Sequence, residues 1–303
     1  MEETQTKNES RYAALLMDCG FKAVFGDERN KDVVISLLNR FLDGEHHIVE
    51  IEFLNNEQIG ETFTTKGVRY DLHCKDDTGA RFVVEMQKIK NSQDFYTRSV
   101  YYGSKVYSLQ HNKGKKRYAL SPVYVLGIME GQLAHVTDSK CIVRYTMARK
   151  DVDEIAPKTI ICTFVQLGFF SKRSDECVDL LDQWLYSLKH MDALDEVPHG
   201  FDSEEMSSLY TAAEIALFDG EKRIKYEKAM MYERDYNNDM YYSRKEGIEE
   251  GIAIGEARGE AKGVAKGKEE EKLANAKSLK QVGVPVEKIS QALGLTVEQV
   301  QAL

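Results

Sequence analysis

Residues 68–87 read VRYDLHCKDDTGARFVVEMQ, two runs of alternating polar and apolar residues around a turn rich in Asp and Gly. In the first run Val68, Tyr70, Leu72 and Cys74 face one way, and Arg69, Asp71, His73 and Lys75 the other. In the second, Phe82, Val84 and Met86 form the apolar face, opposed by Arg81, Val83, Glu85 and Gln87. Period-two alternation predicts strands, and Asp76-Asp77-Thr78-Gly79 predicts the hairpin between them. A type I turn closed by a left-handed Gly suits Asp77-Thr78-Gly79. That loop pairs Asp76 with Ala80, His73 with Val83, Asp71 with Glu85 and Arg69 with Gln87. Asp71 and Glu85 would then be cross-strand neighbours roughly 5 Å apart at Cα, where like charges repel. Two readings answer that repulsion. A divalent cation sits between the carboxylates, or the face is solvated and the register differs by one residue.

Working outward, the spacing of Val33, Val34, Leu37, Leu38, Phe41 and Leu42 predicts a helix at about 29–43, after the stretch Asp18–Gly26. Residues 47–54 predict a strand, and the hairpin strands are expected at about 66–75 and 81–88. A helix over 92–112 has Phe95, Ser99, Tyr102, Val106 and Leu109 as its seam, with Arg98, Tyr101, Lys105 and Ser108 as the neighbouring stripe. Residues 118–129 are apolar enough for a buried strand. A looser β region at 134–147, a strand at 159–167, and helices at 175–191, 203–218 and from about 220 complete the pattern. Helix, three strands, helix and strand make a layered α/β sheet, the fourth strand joining by a crossover.

The chain has 303 residues, 42% hydrophobic and 30% charged, which provides for a real core and suggests about two domains. A net charge of −9 gives no global attraction to nucleic acid, so any DNA contact must come from a local basic patch. Cys19, Cys74, Cys141, Cys162 and Cys177 are scattered and odd in number, arguing against a disulfide framework or a zinc site. The N-terminal residues have no basic region followed by an apolar one, and no run of eighteen apolar residues occurs. The expected compartment is the cytoplasm.

These pieces together resemble a known family. They are Phe21-Lys22-x-x-Phe25-Gly26, Asp71, Val84-Glu85-Met86-Gln87, Phe95-x-x-Arg98-x-x-Tyr101-Tyr102 and Gly114-x-x-x-Tyr118. In this order they resemble the PD-(D/E)XK nuclease superfamily, and within it the Rpn family of recombination-promoting nucleases and PD-(D/E)XK nuclease family transposases. The resemblance covers roughly residues 18–165. It implies a restriction-endonuclease-like α-β-β-β-α-β core with a mixed sheet flanked by helices, followed by an α-helical C-terminal extension. It also implies a metal-dependent DNA endonuclease that hydrolyses phosphodiester bonds and is linked to recombination or mobile DNA. Asp71, Glu85 and Gln87 would be catalytic. Asp71, Glu85 and the Met86 carbonyl would hold Mg²⁺, with Mn²⁺ or Ca²⁺ as alternatives. Gln87 stands where most of the superfamily has Lys, so it can hydrogen-bond but carries no charge, and water activation would rest on the metal.

For DNA binding the expected residues are Arg98, Tyr102 and Lys105, with the cluster Lys113, Lys115, Lys116 and Arg117. Lys22 reads as a lone exposed base and His73 as a partly buried polar neighbour of Asp71.

The tail is unusual. Glycine recurs at 247, 251, 255, 259, 263 and 267, a period of four. Each costs roughly 1 kcal/mol in a helix relative to Ala, so this is either a helix packed against a partner or a tether. Residues 274–303 predict a small helix-turn-helix, with Pro285 in a first turn, Gly294 at a helix end and Thr296-x-x-Gln299 as a capping box. Its last helix offers Glu298, Gln299 and Gln301 but no Arg or Lys, a weak DNA reader. The expected organisation is a nuclease-like core over 11–170, a helical extension over 171–244, the glycine repeat over 245–272 and the terminal unit over 273–303, the whole a homo-oligomer through its C-terminal helices with no membrane contact. The alternatives are a non-cleaving nuclease-fold module that binds DNA or protein as an oligomer, and a regulatory oligomer whose tail is the active part.

Overall fold

Helix α1 (Asp18–Phe25) buries Gly20, Phe21, Val24 and Phe25, in a stretch where no helix was expected. A short 3-10 turn capped by Asp27 leads into α2 (Lys31–Phe41), whose buried face is Val33, Val34, Leu37, Leu38 and Phe41, as the spacing predicts. This computed structural model describes residues 10–42, 44–58, 68–88, 94–111, 119–149, 151, 154–155 and 158–303.

Strands β1 (Ile51–Phe53), β2 (Glu57–Gln58), β3 (Val68–Arg69), β4 (Leu72–Asp76) and β5 (Arg81–Gln87) follow. The β4–β5 turn has the predicted chemistry. Gly79 takes φ 84°, its N–H donates to the Asp76 carbonyl, and the Asp76 N–H donates to the Ala80 carbonyl at 3.0 Å. The register follows from it, with His73 opposite Val83 and Leu72 opposite Val84.

There the expectation fails. The strand predicted over 66–75 is broken at Tyr70–Asp71: β3 pairs with β2, setting Arg69 opposite Glu57 rather than Gln87. The β4–β5 ladder ends at Leu72–Val84, and Asp71 lies just outside it in a bend. The physical reason is a substitution of partners. Asp71 Oδ2 accepts the Met86 N–H at 2.8 Å, so a side chain replaces the backbone group that would have continued the ladder. The bend also turns Tyr70 away from Leu72 and Cys74, to pack with Val83 on the other face.

Helix α3 (Asp94–Ser108) crosses over to β6 (Val123–Met129), which lies parallel to β5. Its buried line runs through Phe95, Ser99, Gly103 and Val106; Tyr102 is half-buried and Leu109 exposed, so the seam is centred on Gly103. A Cβ at Gly103 would lie 2.9 Å from both Ile160 Cγ2 and Val125 Cγ2, so glycine is what lets α3 lie this close to the sheet. Then come β7 (Ile142–Tyr145), the small pair β8 (Ala148–Arg149) and β9 (Glu154–Ile155), and β10 (Ile160–Gln166). The main sheet has the order β1-β4-β5-β6-β10-β7, parallel at β5–β6 and β6–β10 and antiparallel elsewhere.

Both faces of this sheet are covered. On one, Leu72, Cys74, Phe82 and Val84 join α1 and α2 together with Trp184, Leu185 and Leu188 of α4 (Leu180–His190) and Met206, Leu209 and Tyr210 of α5 (Glu204–Ala213). On the other, Tyr70, Val83, Val123 and Val125 meet Phe95 and Val106 of α3. Apolar runs on the central strands are what a sheet buried on both sides requires. The solvated-face reading of the hairpin is thereby excluded: His73, Glu85 and Gln87 are all buried.

The chain divides into two compact units, Met1–Met230 and Met231–Leu303. Helices α4 and α5, expected in a separate extension, share the sheet's core in the first unit. Helix α6 (Gly220–Gln281) contains the glycine repeat, so that stretch is helical. In the second unit Ala276, Ile289, Leu295 and Val300 form a small core with α7 (Val286–Leu293) and α8 (Val297–Gln301). The Thr296–Gln299 capping box and a left-handed Gly294 are present, while Pro285 is the N-cap residue, one position before the first turn. Among the described residues no helix is long and apolar enough to cross a membrane, and no disulfide joins the cysteines.

Candidate active site

The site lies where β4 stops and β5 continues. Glu85 and Gln87 project from β5 toward the α3 side, alternating with Met86, which packs on the other core. Asp71 reaches the same point from the bend before β4. Its Oδ2 is held by the Met86 amide, and its Oδ1 is 4.0 Å from Lys22 Nζ. Paired β residues exchange both N–H and C=O along one edge, so the Met86 carbonyl leaves β5 on the same edge as its N–H, past the last rung with β4.

Glu85 is 4% exposed, and its Oε1 is buried with no hydrogen-bond partner among the described residues. Burial and the neighbouring Asp71 push its carboxyl up to about 8, against the pull of Arg98, the Asp71 amide and Lys22. Asp71 is also raised, chiefly by burial, with the Met86 amide and Lys22 opposing and Asp18 adding to the rise. A buried and a half-buried carboxylate side by side, with an orphaned oxygen, are costly to ionise together without a cation. Beside Glu85, the β6 residue is Gly127, where a Cβ would lie 2.8 Å from the Phe164 ring and 3.0 Å from Phe95. Glycine there leaves the space to the aromatic rings that close the dry side of the site.

The α3 residues are brought to the same place. Arg98 Nη2 donates to Gln87 Oε1, with its guanidinium 5.3 Å from the Phe95 ring centre. Tyr102 packs edge-on against Tyr70 at 5.4 Å, and burial followed by Glu85 raises its hydroxyl pKa. Lys105 sits a further turn away, 5.7 Å from the Tyr101 ring centre. Lys113, Lys115, Lys116 and Arg117 lie outside the described residues.

His73 is no part of this group. Its Nδ1 bonds the Asn55 carbonyl at 3.1 Å, and burial lowers its pKa, so it is a neutral polar neighbour inside the fold.

The donor set fits a hard divalent ion. No group of three or more His, Cys, Asp or Glu residues able to hold a metal occurs among the described residues. Mg²⁺, however, is commonly held by one or two carboxylates, keeping waters for the remaining positions. Asp71, the orphaned Glu85 oxygen and the Met86 carbonyl meet that requirement.

A model of the family described as PD-(D/E)XK nuclease family transposase matches residues 15–243. The chain belongs to this family. Its mixed six-stranded sheet flanked by helices is the PD-(D/E)XK fold, extended by a long helical C-terminal region. Membership carries a nuclease- or transposase-like function, with DNA as the general substrate class and divalent metals as the general cofactors of PD-(D/E)XK nucleases. No curated protein and no solved structure matches the chain.

Lys22 was read as a lone base, yet it forms an ion pair with Asp18 at 2.6 Å and lies within reach of Asp71. The signal is present in Phe21-Lys22-x-x-Phe25-Gly26, but only the helical turn of α1 brings Lys22 and Asp18 to one side. An open cleft of about 590 Å³ next to Lys22 is lined by balanced charges. Asp27 there pairs with Arg29 and Lys222, and Arg29 with Asp219, so these residues serve to hold the start of α6.

Proposed function

We propose that the chain is a metal-dependent DNA endonuclease. The observation that carries this reading is part-buried Asp71 beside buried Glu85 with its unpartnered oxygen, two carboxylates that a bound cation would let ionise together. Asp71, Glu85 and the Met86 carbonyl hold Mg²⁺, or Mn²⁺ or Ca²⁺ in its place. When bound, the ion supplies Lewis-acid activation of water and of the scissile phosphate. Asp71 is oriented by the Met86 amide and Lys22. Gln87 donates a hydrogen bond to the attacking water or to a phosphoryl oxygen. Lys105 and Tyr102, along one stripe of α3, face the DNA backbone, joined by Lys115, Lys116 and Arg117. Recombination or mobile DNA is the expected setting.

The test is plasmid cleavage by the full chain in Mg²⁺, Mn²⁺ or EDTA, with Asp71→Ala and Glu85→Ala alongside. Metal-dependent cleavage lost by about a thousandfold in either variant is expected. No metal-dependent cleavage, or cleavage indifferent to both changes, would leave the non-cleaving binding module instead.

The tail favours a second, compatible reading: self-association. No atom lies within 4 Å of a Cβ at Gly247, Gly251, Gly255, Gly259, Gly263 or Gly267, and Ile248, Ile252 and Val264 beside them are more than half exposed. The residues preceding the glycines run Glu246, Glu250, Ile254, Arg258, Lys262 and Lys266, acidic then basic. An antiparallel second copy brings the acidic end of this run to the basic end of its partner, whereas a parallel pair sets like charges together.

A further inference from the structure

Two polar groups at the site are tied to each other. Gln87 is 8% exposed, and its Oε1 accepts from Arg98 Nη2. Arg98 is itself part-buried, with an Nε that has no hydrogen-bond partner among the described residues and a guanidinium beside the Phe95 ring. Arginine has only donors, so the atom of Gln87 that meets it must be the oxygen. This fixes the amide. The NH₂ is thereby turned away from Arg98, where Gln87 can serve as a hydrogen-bond donor. Arg98 is also one of the cations acting on Glu85. A guanidinium whose face rests on an aromatic ring and whose Nη2 is spent on an amide is poorly placed to clamp DNA from outside.

We infer that Arg98 is a positioning residue: it orients Gln87 as a hydrogen-bond donor and sets a part-buried positive charge beside it. This rests on the nuclease reading for its activity readout, and stands apart from it in its spectroscopic one. The site then tolerates one cation at this point and not two. A Lys at position 87, where the native side chain is 8% exposed, would meet Arg98 as a like charge. The same Lys with Arg98 removed would supply both the donor and the charge.

The test compares Arg98→Met, Arg98→Lys, Gln87→Lys and the double variant Gln87→Lys/Arg98→Met in the full chain. Arg98→Met is expected to lower kcat by on the order of 100-fold with KM for DNA nearly unchanged, the loss that removal of one oriented donor brings. Arg98→Lys should retain more activity than Arg98→Met. Gln87→Lys alone should be impaired, and the double variant should recover at least about tenfold over Arg98→Met. A raised KM at unchanged kcat in Arg98→Met would instead make Arg98 a phosphate contact and overturn the proposal. A double variant no better than Arg98→Met would overturn it too, since a merely structural Arg98 offers Lys nothing to replace. The second readout is the Gln87 side-chain amide resonance in ¹⁵N-glutamine-labelled protein, with Mg²⁺ titrated calorimetrically. Arg98→Met should shift that resonance and change Mg²⁺ affinity even if the wild type cuts nothing, and an unmoved resonance refutes the inference whatever the fate of the nuclease reading.

Discussion

Glu85 has the most consequential ionisation in the molecule. Burial and Asp71 hold its folded-state pKa at about 8, against 4.5 for the solvent-exposed carboxyl of the unfolded chain. Between those values the native state keeps a proton that the unfolded state has lost, so in the metal-free protein this group contributes most at the acidic end of the window. That contribution fades as pH rises from about 4.5 to about 8. Thermal melts in EDTA across this window should show a falling Tm, flattened in Glu85→Gln; a Tm that rises in the wild type through the same window contradicts the assignment. Mg²⁺ should reverse the trend, because its binding requires the deprotonated carboxylate and releases the proton. Asp27 has the opposite sign. Its pairing with Arg29 and Lys222 holds its pKa far below the usual carboxylate range, so its contribution is present above the unfolded value of 3.8 and is lost on further acidification.

The elements are set by how closely they can approach. Helix α3 carries Arg98 and Tyr102 to β5 because Gly103 admits Val125 and Ile160 where a methyl would collide at 2.9 Å. Both of those neighbours are β-branched and stiff, so they cannot move aside cheaply. Gly103→Ala gains about 1 kcal/mol of helix propensity but meets about 1–3 kcal/mol of overpacking. A net loss of about 1 kcal/mol, read as a lower denaturant midpoint with reduced cleavage, is expected. An unchanged or raised midpoint would show that α3 can retreat without penalty. The glycines of α6 make the opposite case within the same protein, having open space around them. The triple change Gly251→Ala, Gly255→Ala and Gly259→Ala would stabilise a lone helix by about 3 kcal/mol. Where those glycines close on a second copy it should weaken association by at least tenfold, and sedimentation against far-ultraviolet dichroism separates the two.

At the scale of the whole molecule the chain is a sheet-centred unit and a helical one, joined within a single long helix. The first unit has all of the candidate chemistry; the second has Glu298, Gln299 and Gln301 on its last helix and no base there, which suits packing better than reading DNA. Truncation before Lys245 should reduce the solution mass to that of one chain and leave the active-site residues in place. A truncated protein of unchanged oligomeric state would sink self-association through the tail.

The sequence by itself determined what depends on neighbours in the chain. Asp-Thr-Gly fixed the turn and hence the His73–Val83 register, and apolar spacing found α2, α3 and the central strands. Thr296 and Gln299 announced their capping box, and motif order gave the family. What the sequence did not contain was where the chain leaves its own pattern. The break at Tyr70–Asp71 is invisible to alternation because it arises from a side chain bonding a backbone amide fifteen residues on. The burial of one sheet face is completed by α4 and α5, more than ninety residues downstream of β5, and that of the other by α3. The coupling of Gln87 to Arg98 and of Lys22 to Asp71 needs α1 and α3 seated on the sheet. Periodicity reports local geometry, whereas desolvation and hydrogen-bond partnership are set by groups distant in sequence. Only the tertiary structure could therefore show that Asp71 leaves the ladder and meets a desolvated Glu85 from the bend before β4.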